Sequence, residues 1–178
     1  MTALITITAL LMAASAAFLP YSCDTGDEEK NLFISYRHGG GMDMYQDGDR
    51  YGHKIDIAFD GTYTLYRLIY RSGNGRGSVS EESVRRGTLP EDTLSSIKAT
   101  LECEGFYDLK ERLPAGSPHE IEMRGPAPSV TITARLQPAD STHTVRANMG
   151  ADRRHYPELF NELNRRLHAI LRAEIERE

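Results

Sequence analysis

Metal or nucleophilic chemistry would have to come from six histidines, two cysteines and an aspartate-rich stretch, so their spacing decides what is feasible. His119-Glu120 begins the H-E-x-x-H pattern of zinc proteases, but Met123 stands where the second histidine belongs and prolines flank the segment. With one imidazole of two missing, the site has no geometry, and the match is a coincidence. Asp43, Asp47 and Asp49 cluster carboxylate oxygens. A calcium loop needs ligands at fixed alternate positions and a closing glutamate, which is absent here, so a solvated turn is preferred to weak calcium binding. Gly39-Gly40-Gly41 could cradle an anion with backbone N–H groups, yet no Lys-Ser/Thr follows as in a phosphate loop, and a tight turn or bulge fits better. The histidines at 38, 53, 119, 143, 155 and 168 show no metal-ligand spacing. His38 and His53 could meet across a hairpin. With the Asp43–Asp49 stretch between them, they mark where a hydrolytic site would be assembled. No serine sits in a G-x-S-x-G turn. The sequence implies no cofactor and no metal.

The residues suited to recognition fall in the same stretch. Gly40, Gly41, Met42, Met44, Tyr45 and Tyr51 combine backbone freedom, adaptable thioethers and aromatic rings, the groups that anchor protein interfaces. The connection from Gly39 to Gly52 is longer than a hairpin needs, and such loops in compact domains are functional or disordered. The competing assignment is that Tyr45 or Tyr51 folds back to cover the end of a sheet.

The scaffold beneath that loop follows from periodicity. Residues 31–38 read as a strand, and residues 53–59 alternate, with Ile55, Ile57 and Phe59 on one face. Asp60-Gly61 predicts a two-residue hairpin into a return strand over 62–71. A more polar strand, suited to an edge, follows from Ser78 to Arg86. Thr88-Leu-Pro-Glu91 starts a helix carrying Leu94, Ile97 and Leu101 on one side, and Gly105 stops it. Four prolines make 114–128 a long loop, and residues 129–136 and 142–149 form a second hairpin. Pro157 opens a last helix with Leu159, Phe160, Leu163, Leu167, Ile170 and Leu171 on one stripe. The expected fold is α+β: an antiparallel sheet of about six strands with two packed helices, in the order ββββ-α-ββ-α.

From Thr2 to Ser22 the chain has no charged side chain, and an acidic stretch follows Cys23. This predicts a signal peptide over residues 1–22, a polar tether over 23–30 and a single domain over 31–178. Ala14-Ser15-Ala16 offers small residues for cleavage, although no Lys or Arg precedes the apolar run. Cys23 is a lipidation candidate, despite Pro20 and Tyr21 at positions where a lipoprotein signal prefers an aliphatic and a small residue. The segment is also just long enough for an uncleaved anchor. Each alternative places the domain outside the cytoplasm: secreted, periplasmic or lipid-anchored, touching a membrane only through this segment or a lipid on Cys23. If Cys23 stays as a thiol it could pair with Cys103; otherwise Cys103 reads as a small core residue. A net charge of -5 with scattered basic residues argues against a nucleic-acid partner.

Ile34-Ser-Tyr-Arg-His-Gly-Gly-Gly41, Ile57-Ala-Phe-Asp-Gly61, Arg86-Gly-Thr-Leu-Pro90 and Gly105-Phe-Tyr-Asp-Leu109 together resemble small bacterial exported domains. More distantly, they are similar to emfourin-type inhibitors of thermolysin-like metalloproteases. The resemblance spans Leu32 to Leu109 and the closing helix, and it rests on glycine turns and hydrophobic spacing. It implies a non-enzymatic protein-binding domain, with an exported protease as partner and inhibition as its activity. The alternative is an extracytoplasmic hydrolase with a His/Asp site near residues 38–53.

Overall fold

The structure is a computed structural model that describes residues 31–39, 45–46, 49–71, 78–103, 105–114 and 127–177. It is an α+β fold with two helices against one mostly antiparallel sheet. The strands are β1 (Leu32–Gly39), β2 (Tyr45–Gln46), β3 (Asp49–Ala58), β4 (Thr62–Arg71), β5 (Ser78–Thr88), β6 (Arg112–Leu113), β7 (Ser129–Ala134) and β8 (His143–Asn148). The helices are α1 (Glu91–Cys103) and α2 (Glu158–Ile175). Across the sheet the order is β5-β4-β3-β1-β7-β8-β6, and β2 extends the edge of β3 beyond Gly39. All pairings are antiparallel except β6 with β8.

The register stacks the side chains into rows. On the helix-facing side, Ala134, Ile34, Ile57 and Tyr63 form one row, and Ile132, Tyr36, Ile55 and Leu65 the next. The third row is Val130, His38, His53 and Arg67, so the apolar face turns basic at that end. Alternation of side chains along each strand puts Ser35, Lys54, Asp56, Thr64 and Tyr66 on the opposite face. There Ser35 Oγ donates to Asp56 at 2.5 Å, and Lys54 sits 3.0 Å from Asp56, 2.5 Å from Glu81 and 4.4 Å over the Tyr66 ring. A register shift between Leu32 and Ile34 lets both Phe33 and Ile34 bury.

The helices cover the apolar rows with the stripes that periodicity predicts. Leu94, Ile97 and Leu101 of α1 are buried, as are Leu159, Phe160, Leu163, Leu167 and Leu171 of α2. Near its end α2 also buries Glu174, which accepts from the Tyr63 hydroxyl and pairs with Arg85 (3.3 Å) and Arg177 (2.6 Å). This network satisfies a carboxylate that would otherwise be costly to desolvate.

Several boundaries differ from expectation. The β3–β4 connection is a three-residue turn rather than a two-residue one. Gly61 takes φ +84° and its N–H bonds Ala58 O, while Asp60 Oδ1 accepts from Thr62 N–H. Phe59 is pulled into that turn because a left-handed Gly after a tight turn suits the strand twist. The long loop also shortens, since β3 begins at Asp49 rather than His53 and β2 pairs with it. A strand needs ladder partners more than local alternation, and β4 supplies them from Arg50 onward. Thr88 ends β5, and Pro90 precedes α1, its carbonyl accepting from Leu94 N–H.

Candidate functional site

Where the sheet turns basic, α2 lies over it with a polar stripe beside its apolar one. Asn161, Asn164, Arg165, His168 and Arg172 recur at helical spacing and line a groove of about 630 Å³ together with His38. Val130, Met149 and Tyr156 give this groove an apolar wall, and Arg153 stands at its rim. No carboxylate lines it among the described residues.

Local structure fixes each wall. Asp152 accepts from Arg154 N–H and starts a 3-10 turn over Arg153–His155. The Tyr156 hydroxyl donates to Asn148 O and accepts from Ala151 N–H, tying the turn to the end of β8. Asn161 Nδ2 donates to Arg153 O and Tyr156 O, both at 3.2 Å, which anchors the first turn of α2. The buried Tyr36 hydroxyl donates to Asn164 Oδ1 at 2.8 Å. That bond leaves the Asn164 NH₂ as a donor on the groove side.

The two imidazoles make edge contact, with ring centroids 4.9 Å apart. Burial, assisted by His168 and His53, holds His38 down to about 4. Burial and the Arg172 guanidinium lower His168 as well. Both rings are therefore neutral at neutral pH, each with one donor and one acceptor nitrogen. Around them, Arg165 is paired with Glu162 (2.7 Å), which Arg166 shares (2.6 Å), and Arg172 with Glu176 (2.8 Å). Two guanidiniums on one carboxylate leave excess positive charge beside the groove.

The structure thus brings His38 and His53 into direct register and adds His168, which sequence spacing did not single out. The stripe Asn161-Asn164-Arg165-His168-Arg172 is legible in the sequence, but a polar helix stripe alone reads as a solvated face. Among the described residues, no group of three His, Cys, Asp or Glu side chains could hold a metal ion. His143 sits elsewhere, between the Phe106 and Tyr107 rings, with Nε2 3.0 Å from Leu109 O. His155 belongs to the 3-10 turn.

Of the predicted recognition residues, Tyr51 is half-buried in β3 opposite Ile69, on the face of His53. The backbone of Tyr45 pairs with Arg50. Gly40, Gly41, Met42, Met44, Asp43, Asp47, Cys23, His119, Glu120 and Met123 lie outside the described residues. Asp49 is paired through its backbone with Gln46. Gly39 is part of β1, and a Cβ there would lie 2.2 Å from the Tyr70 hydroxyl; the rest of the glycine run lies outside the described residues.

No protein-family model, curated protein or solved structure matches the chain.

Proposed function

We propose that this chain is a non-enzymatic binding module that holds a protein partner by a carboxylate seated in the groove beneath α2. The observation that carries this is the groove lining: two imidazoles, three guanidiniums and the Asn164 amide offer donors, with no carboxylate among the described residues. Fixed donors in a partly desolvated concavity suit a carboxylate, and arginine does so in a planar fork. The apolar wall of Val130, Met149 and Tyr156 fits an apolar side chain next to that anion. A peptide C-terminus ending in an apolar residue combines both. Tyr51, on the face of His53, adds to the proposed contact surface, and Gly40, Gly41, Met42, Met44 and Tyr45, near His38 in sequence, are proposed as further contact residues. The resemblance to emfourin-type inhibitors points to an exported protease as partner, in keeping with the apolar leader.

The hydrolase alternative draws on the neutral His38 imidazole, which could accept a proton. The groove lining brings it no serine, cysteine or carboxylate among the described residues, so binding is the better use of the site.

The test is calorimetric titration with short peptides that end in an apolar residue, as free carboxylate and as amide. The free acid is expected to bind about tenfold or more tightly, and Arg172→Ala with His168→Ala to abolish the difference. Affinity should rise as pH falls, because a bound anion favours protonated imidazoles. Equal binding of acid and amide overturns the assignment. Turnover of an ester or peptide substrate that His38→Gln abolishes would establish the hydrolase instead.

A further inference from the structure

We propose that β5 pairs edge to edge with β5 of a second copy of this chain, about a two-fold axis, so that the sheet continues across a dimer. Independently of the groove, β5 closes one side of the sheet, and no strand pairs with its outer edge among the described residues. It is eleven residues long, and Ser78 to Ser83 are exposed. A long open edge is a template for another strand.

The sign order along β5 identifies the occupant. Glu81-Glu82-Ser83-Val84-Arg85-Arg86 reads acidic to basic. Laid antiparallel against itself, it sets Glu81 opposite Arg86 of the second copy and Glu82 opposite Arg85, each twice by symmetry. Parallel pairing would put like charges together instead.

Strand geometry adds a condition. A two-fold axis normal to the sheet keeps each face on its own side, so opposed residues must point the same way. In a regular strand Glu81 and Arg86 would point to opposite faces, as would Glu82 and Arg85. The bulge in β5 removes this conflict. Leu65 pairs with Arg85 and Tyr66 with Ser83, so Val84 is the extra residue. Glu81, opposite Leu68, and Arg86, opposite Thr64, then share the outer face, while Glu82, opposite Arg67, and Arg85, opposite Leu65, share the helix-facing one. The same register sets Val79, 44% exposed, against Thr88 of the second copy. Arg85 keeps Nε on Glu174 and Nη1 on Arg177 O.

Sedimentation equilibrium of the purified protein tests this, with Arg86→Glu and with Glu81→Arg, which also removes the Lys54 ion pair, as single substitutions. The wild type is expected to dimerise, and each variant to dissociate about tenfold or more readily. Mixed one to one, the two variants oppose unlike charges again and should recover the dimer. Hydrogen exchange of the β5 amides, slowing as wild-type concentration rises, provides a reading that needs no variant to fold. A wild type monomeric to millimolar concentration overturns the proposal. So does a dimer that neither variant weakens, one that mixing fails to restore, or one that leaves β5 exchange unchanged.

Discussion

His38 shows how position converts a common side chain into a pH-dependent one. Its ordinary value is 6.5, and burial among His168 and His53 lowers it to about 4. Below pH 6.5 the unfolded chain binds a proton here that the folded chain refuses until about 4. The stability this contributes is complete above the unfolded value and is lost as pH falls towards the folded one. His168 acts in the same direction. Denaturant unfolding across that interval should lose about 1–3 kcal/mol through His38, after discounting its partial exposure. His38→Gln should flatten the profile by that amount, and an unaltered slope would contradict the assignment. A second residue-scale prediction concerns Gly52. A Cβ there would lie 2.9 Å from His38 O and 3.0 Å from Gly39 Cα, both backbone, with the Tyr70 ring 3.1 Å away. Since backbone in a paired strand cannot yield cheaply, Gly52→Ala should cost about 1–3 kcal/mol by equilibrium unfolding. The glycines were visible in the sequence as turn formers; that Gly39 and Gly52 face each other beneath a tyrosine ring depends on strand register.

At the scale of elements, α2 carries most of the lid over the core. Leu163 and Leu167 are wholly buried one turn apart. Leu167→Ala should destabilise by about 2–5 kcal/mol, the range for a buried leucine truncated to leave a cavity. Arg166 lies on the neighbouring face, 35% exposed, bonded to Glu162 and to Ser96 of α1. Its truncation should cost under about 1 kcal/mol. Parallel thermal melts separate the two, and equal losses would mean the helix is held by its polar ties rather than its apolar stripe. This stripe was legible because 3.6-residue periodicity is local. The short strands β2 and β6 were not, since two residues carry no period and exist only where a neighbour offers hydrogen bonds.

Over the whole molecule, the uncharged run from Thr2 to Ser22 predicts an extracytoplasmic domain, and among the described residues no helix is long and apolar enough to cross a membrane. Protein recovered from its own host is expected to lack residues 1–22 or to carry lipid on Cys23. Intact mass measures this, and a soluble species that still begins at Met1 would refute the leader. The α+β class, the apolar faces of both helices and the strands of the two hairpins were readable from the residues alone, because each is written in spacings a few residues long. The sequence also placed His38 and His53 as possible neighbours. Long-range packing set the rest: β7 inserts beside β1, α2 brings His168 onto His38, and the bulge at Val84 aligns the charges of β5 on common faces. Those outcomes depend on strand order, register and helix placement, which are settled by burial and hydrogen-bond pairing between residues distant in the chain.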